Sequence, residues 1–505
     1  MQRLWAILVL ALCSAAAGAA PLVVGSKRFT ESYVLGEIVR QTLAEAGVAA
    51  EHKPGLGNTG ILEQALASGA VDVYPEYTGT IVRELLKRES ATGNPPLDEL
   101  NRWLAPRGLK AAVPLGFNNT YALALRESVA ERLGVKTIGD LAKLQPGALK
   151  LGLSHEFQQR ADGWPALQKA YALPQAAGAA LDHGLAYDAL KAGQVDLIDV
   201  YSTDAQIGRA GLRVLVDDRG FFPRYDAVLL MRAAVDERPL LKLAGRIDEA
   251  TMIALNAQVE LDGLSFEQAA RGFLAGQGGV SLRPGFVGRL FAPDLARLLL
   301  QHLVLVFGAL ALAVSAGVPL GILAHGRPRL AGWVLVSVGL LQTVPSLALL
   351  AFLIAMLGAI GFVPALLALF LYALLPIVRN THAGLAGVSS GLVLAARALG
   401  LNDAQVLRHV QLPLALPTLL AGVKTAAVIN VGTATVAAFV GAGGLGERIV
   451  AGLAVNDRQL MLAGALPAAL LALLVQWAFD FAERRLTRGR HSDLATIAGS
   501  GEPAP

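Results

Sequence analysis

Tyrosines recur in the first half of this chain at positions where they could act together. Tyr77 stands in DVYPEYTGT (Asp72–Thr80), Tyr121 in NNTYALAL (Asn118–Leu125), Tyr201 in DVYSTD (Asp199–Asp204) and Tyr225 in PRYDAV (Pro223–Val228). Each lies at the end of a strand-like run or in its loop. Several aromatic faces around one point would suit a cation with no N–H to donate, such as a quaternary ammonium. Each face is then worth ~0.5–2 kcal/mol once desolvated. The same tyrosines also suit plain packing, with the hydroxyl at a wet rim, and the residues alone leave both readings open. Bond-breaking chemistry has no visible machinery in this half, since H-E-x-x-H and G-x-S-x-G are both absent from residues 22–285. The single cysteine, Cys13, excludes an intrachain disulfide framework and a cysteine zinc site. No G-x-x-x-x-G-K-[ST] occurs, so the chain has no P-loop to cradle nucleotide phosphates.

The elements that must position these tyrosines alternate. Leu22–Gly25 predicts a strand, and Glu31–Ala46 a helix, with Val34, Leu35, Ile38, Val39, Leu43 and Ala46 at helical spacing. Thr30 is the expected N-cap of that helix and Glu31 is favourable in its first turn. Helices follow over 61–68 and 81–87, and strands over 71–74, 121–125 and 149–153. This alternation predicts an α/β domain with mainly parallel sheets, large enough for two lobes. Ligands of such sheets sit beyond the carboxyl ends of the strands.

Composition divides the 505 residues into unlike halves. The whole is 54% hydrophobic and only 16% charged, with a mean hydropathy of +0.51. From Leu295 to Asn402 there is no Asp, Glu or Lys. Membrane helices need ~20 apolar residues, and spans are expected at 298–323, 331–357, 362–379, 414–440 and 460–481. Thr343-Val344-Pro345 should break or kink the second, and Pro376 and Pro467 offer similar sites. Small residues from Ala421-Gly422 to Ala437-Ala438 suit close helix packing, and Lys424 suits snorkelling. Arg3, the apolar run to Cys13 and the small residues through Ala19 predict a signal peptide over 1–19, with an uncleaved anchor as the alternative. Five spans with residues 22–285 outside place Arg327, Arg329, Arg379, Arg397, Arg408, Arg484, Arg485, Arg488 and Arg490 in the cytoplasm, as the positive-inside rule requires. The net charge of +4 therefore reads as membrane topology, with no nucleic-acid partner.

Between the third and fourth spans lies LAARALGLNDAQVLRHVQLP, Leu394–Pro413. The pattern is a short helix, Gly400, a second helix and a proline that starts a new segment. By itself it equally fits an interfacial helix. It resembles the EAA loop of type I ABC importer permeases, supplying Ala395, Ala396, Gly400, Val410, Leu412 and Pro413 at the family spacing, with Leu394 in place of the Glu. QTVPSLALLAFL (Gln342–Leu353) and FVGAGGLGERI (Phe439–Ile449) also resemble the quaternary-amine uptake permeases, and the resemblance covers 298–481. The four tyrosine motifs resemble those of the glycine betaine/choline class of periplasmic binding proteins.

The resemblance implies a two-lobed α/β periplasmic binding protein (type II-like) followed by an all-α membrane domain of about five helices, the type I ABC permease fold. Its implied boundaries are a binding domain at 20–285, with lobe one at 22–121 and 226–285 and lobe two at 122–225. A linker at 286–297, the permease at 298–485 and a cytoplasmic tail at 486–505 follow. It implies a ligand cage of Tyr77, Tyr121, Tyr201 and Tyr225, joined by Thr80, where some relatives have Asp, and by Asn119. Ser32 stands where many relatives carry Gln. The implied solute is glycine betaine, choline, carnitine or another trimethylammonium compound such as ergothioneine. The implied partners are a separate ATPase, which brings ATP and Mg, and a second copy of the permease. A membrane-anchored receptor is the competing class, but only a short segment follows the last span.

Overall fold

A computed structural model describes residues 21–88, 95–160, 162–276, 285–455 and 457–498, the stretch 486–498 as backbone only. The expected signal segment and Cys13 lie outside the described residues. The chain divides into a unit ending at Arg283 and a unit beginning at Pro284.

The first unit is built on two five-stranded sheets. Its strands are β1 (Leu22–Gly25), β2 (Ala50–Lys53), β3 (Val73–Tyr77), β4 (Leu109–Ala112), β5 (Tyr121–Arg126), β6 (Leu151–Ser154), β7 (Ala179–Leu181), β8 (Leu197–Tyr201), β9 (Leu212–Val214) and β10 (Ala227–Arg232). One sheet runs β2-β1-β3-β10-β4 and the other β7-β6-β8-β5-β9. The chain passes between them twice, over 113–120 and 215–226. β5 and β10, the strands entered directly from those crossings, run antiparallel to their sheet neighbours. The sheets are therefore mixed rather than mainly parallel, because a strand arriving from the other lobe needs no crossover helix. Tyr121 opens β5 of the second sheet, so the first lobe ends before it.

Helix α1 (Thr30–Glu45) buries Val34, Leu35, Ile38, Val39 and Leu43, the apolar face its spacing predicts. Thr30 does not cap it. Phe29 holds the N-cap position without a side-chain bond, and the Thr30 hydroxyl donates to Glu260 at 2.5 Å. Helix α2 (Thr59–Ser68) is capped by the Asn58 side chain and closed by Gly69 at φ +75°. The strand expected at 71–74 starts two residues later and runs on to Tyr77. Asp72 is instead committed to the backbone N–H of Val23, at 2.9 Å, and to Arg232. Over 81–87 the expected helix is a wide π-helical turn (Ile81–Leu85) after one α turn at Thr78–Thr80. Helices α3 (Glu249–Glu260) and α4 (Phe266–Leu274) complete the first lobe against α1.

The second unit is helical. It contains α5 (Leu295–Gly326), α6 (Pro328–Thr343), α7 (Ser346–Leu357), α8 (Phe362–Ala386), α9 (Ser390–Ala398), α10 (Leu412–Thr433), α11 (Gly446–Ala454) and α12 (Arg458–Ala498). Among the described residues four helical stretches are long and apolar enough to cross a membrane, and a fifth crossing arises if α6 and α7, bent by 101°, form one span. The break falls at Val344-Pro345, where Pro removes a donor. Pro376 and Pro467 stay inside continuous helices. The stretch read as a linker is already helical at Phe286–Leu290 and from Leu295, and α12 runs on into the expected tail.

Small residues let the helices close up. A Cβ on Gly422 would stand 2.6 Å from the Pro376 carbonyl of α8, and one on Gly321 2.6 Å from Thr381. Gly432 faces open space and packs nothing. Lys424 does not snorkel alone, because its amine reaches Asp480 at 2.8 Å and Glu483 at 3.4 Å on α12.

Candidate functional site

The four tyrosines converge. Tyr121 and Tyr201 face each other across the antiparallel β5–β8 pair, with ring centroids 5.0 Å apart. Tyr225, just before β10, stands 5.9 Å from Tyr121 and nearly edge-on to it. Tyr77 ends β3, the neighbour of β10. All four rings are buried and line one pocket with Thr80, Asn119, Phe29, Lys27, Glu156 and Arg160. The cavity among them measures about 20 Å³, room for roughly one water, so the walls stand close together.

Each ring is held by a specific partner. The Tyr77 hydroxyl donates to Glu31, and that of Tyr225 to Asp162 at 2.6 Å. The hydroxyls of Tyr121 and Tyr201 lie 3.5 Å apart, and Tyr121 stacks on Phe157 with centroids 5.0 Å apart. Burial drives all four phenols well above their ordinary value, so these walls stay neutral at any physiological pH. Thr80 accepts from Arg160 at 3.4 Å. Asn119 donates to Glu31 at 2.9 Å. Ser32 is buried beside the pocket, its hydroxyl accepting the Lys27 backbone N–H.

Sequence reasoning missed the cations. Arg160 forms a two-pronged pair with Asp162, at 2.7 and 2.8 Å. Its guanidinium lies 5.2 Å from the Tyr121 ring centroid and 5.9 Å from that of Tyr225. Burial works against the charge of Asp162, yet Arg160 holds that carboxyl below the usual carboxylate range. The Lys27 amine pairs with Glu76 at 2.7 Å and stands 5.7 Å over Tyr77. Phe29, 5.2 Å from Tyr201, adds a fifth aromatic wall. Lys27 and Phe29 stand in GSKRFTES, directly after the first strand, and that placement was the available signal. Nothing local marked Arg160, because its role depends on which rings it meets in space. Neutral phenols with a buried guanidinium and amine can hold a small dipolar solute: the rings take a diffuse cation, and the donors of Lys27, Thr80 and Arg160 take an anion.

The loop residues read as a coupling element fall together in the second unit. Ala395 and Ala396 lie on α9, and Gly400 takes φ +87° in the turn after it. A capping box between Asn402 and Gln405 starts the next short helix. Val410 lies in a π-helical turn that leads into Leu412 and Pro413 at the start of α10. Leu394 is exposed.

Comparison with known proteins matches residues 20–276 to the substrate-binding domain of ABC-type glycine betaine transport systems. Residues 317–488 match the inner-membrane component of binding-protein-dependent transport systems. The carnitine transport permease protein OpuCB of Listeria monocytogenes is 44% identical over 187 residues, covering 37% of this chain and 85% of the relative. The choline transport system permease protein OpuBB of Bacillus subtilis is 41% identical, covering 37% and 86%. The osmoprotectant import permease protein OsmW of Salmonella typhimurium is 45% identical, covering 36% and 87%. A crystal structure of a glycine betaine/carnitine/choline ABC transporter protein aligns with 50% of this chain and 98% of its own, at 26% identity and a TM-score of 0.42.

Proposed function

Because the chain belongs to the family of ABC-type glycine betaine substrate-binding domains, fused here to a binding-protein-dependent inner-membrane component, we infer that it captures a quaternary ammonium solute and passes it across the membrane in ATP-driven import. One polypeptide thus serves as receptor and channel. The expected arrangement puts the binding unit outside and the C-terminus in the cytoplasm, with five crossings when α6 and α7 make one. A separate ATPase supplies ATP hydrolysis, and a second copy of the chain completes a two-fold pore.

Within that class the pocket favours a zwitterion. The observation that carries this reading is the meeting of four tyrosines with Lys27 and Arg160 in one pocket. A trimethylammonium head gains from each ring. A bare cation such as choline must share those faces with the guanidinium, whereas a carboxylate tail turns Arg160 and Lys27 into partners. Glycine betaine and carnitine carry both ends. The head is larger than the present cavity, so binding requires the walls to spread and Arg160 to shift from the ring faces. Calorimetric titration of the purified full chain with glycine betaine, carnitine and choline tests this. The two zwitterions are expected to bind more tightly than choline, and a clear preference for choline would refute the reading.

A further inference from the structure

Glu31 sits behind the cage in a place the binding role does not explain. Its side chain is buried, and hydrogen-bond donors from both lobes meet on its carboxylate. Oε1 accepts from the Tyr77 hydroxyl and from Asn119 Nδ2 at 2.9 Å. Oε2 accepts from Thr203 Oγ1 at 2.5 Å and from Asn256 Nδ2 at 3.4 Å. Tyr77 and Asn256 belong to the first lobe. Thr203 lies in the turn after β8 of the second. The same turn is held a second time, because Asn256 Nδ2 also donates to the Thr203 carbonyl at 3.0 Å. It is internally rigid: Asp204 accepts the Tyr201 backbone N–H at 2.9 Å, and its own N–H donates to the Tyr201 carbonyl at 3.0 Å. One carboxylate therefore joins Tyr77 on one wall of the cage to the short turn that carries Tyr201 on another.

We propose that Glu31 is a positioning residue that latches the two lobes over the ligand, fixing Tyr77 through one oxygen and the Tyr201 turn through the other. This rests on the pocket being the solute site. An open cleft separates Thr203 from Glu31 and leaves the carboxylate to water. Closure exchanges that water for protein donors, which count for more once the cleft is dry. The latch acts after the ligand has entered, so it governs escape rather than entry.

The test uses the purified full chain, a fluorophore on each lobe, and glycine betaine as the probe. Thr203→Val removes the cross-cleft donor at constant shape, Thr203→Ser keeps it, and Glu31→Gln keeps shape but sets an N–H₂ against donors. The Thr203→Val and Glu31→Gln proteins are expected to release ligand about tenfold to a hundredfold faster, with association little changed and inter-lobe transfer shifted toward open lobes. Thr203→Ser is expected to stay near wild type, and the double variant Glu31→Gln/Thr203→Val to lose little more than either single one. Wild-type dissociation rates in Thr203→Val would overturn the latch. So would a lowered melting temperature in Glu31→Gln without faster release, since a purely structural role would do only that. Failure of the wild-type chain to bind any trimethylammonium solute would instead overturn the assignment of the pocket, a result distinct from either.

Discussion

At the scale of single residues, the zwitterion preference proposed for the pocket turns on Arg160. A guanidinium 5.2 and 5.9 Å from two ring centroids already uses faces that a cationic ligand would want. Arg160→Met removes that competitor together with the anion donor. Glycine betaine affinity is expected to fall about tenfold to a hundredfold, as for loss of a charged hydrogen bond, while choline affinity holds or rises. Parallel titration of both solutes checks the divergence, and equal losses would refute it. Tyr121→Ala should weaken both solutes by roughly tenfold to thirtyfold, because a ring face serves any quaternary head. The tyrosines were legible in the sequence because their positions relative to strands repeat. Arg160 was not, since it reaches the rings only through the fold of the segment after β6. Glu31 does stand in the first turn of its helix, as expected, but its part in joining the lobes was not legible for a related reason. In sequence it is an acidic residue suited to a helix's first turn, whereas in the structure that turn faces the cleft and the carboxylate serves both lobes.

At the scale of elements, most of the architecture followed from periodicity, and the failures cluster where the chain changes lobe. β5 and β10 turned an expected parallel pattern into a mixed one, a consequence of topology that local spacing does not carry. The turn at Thr78-Gly79-Thr80 shows how tightly such junctions are built. A Cβ on Gly79 would stand 2.7 Å from the Tyr225 ring and 2.9 Å from the Arg224 carbonyl. Gly79→Ala must push Tyr225 aside, and with it one cage wall and the Asp162 bond. Solute affinity is expected to drop at least tenfold, with only a modest loss of melting temperature, as for a local overpacking cost of ~1–3 kcal/mol. Titration and thermal melting of the same preparation separate the two effects. In the membrane unit Pro345 behaved as its chemistry dictates, while Pro376 did not interrupt its helix. The residue type alone does not distinguish these outcomes. What differs is whether the neighbouring turns and packing keep the helix going around the missing N–H.

At the scale of the whole chain, the two units should respond to different perturbations. The binding unit carries a pH signature. Burial raises Glu31 to about 7, and burial with the nearby Asp204 raises Glu260 to about 7. Burial opposes the charge of His183, but Asp204, 2.8 Å away, lifts it to about 9. From pH 4.5 to 7 the folded carboxyls hold protons the unfolded chain has released, and from 6.5 to 9 His183 does so too. The folded form binds more protons in both windows, so its stability falls as pH rises. Glu37, where burial is outweighed by His52 and Arg40 and the carboxyl lies at about 2, acts oppositely and only below pH 4.5. The melting temperature of this unit is expected to peak near pH 5 and decline toward pH 9, with Glu31→Gln and His183→Gln each flattening its own window; a rising curve would contradict the assignment. Coupling to the proposed ATPase partner should show none of this. Gly400 sits at φ +87° with no atom within 4 Å of a would-be Cβ, so Gly400→Ala strains the backbone by about 1–2 kcal/mol without touching a neighbour. The strain falls in the turn between α9 and the segment that leads to α10, far in sequence from every pocket residue. In proteoliposomes with the ATPase, Gly400→Ala is expected to bind glycine betaine as the wild type does while uptake and solute-stimulated ATP hydrolysis fall severalfold. Unimpaired uptake would show that this loop does not carry the stroke, whatever its spacing resembles.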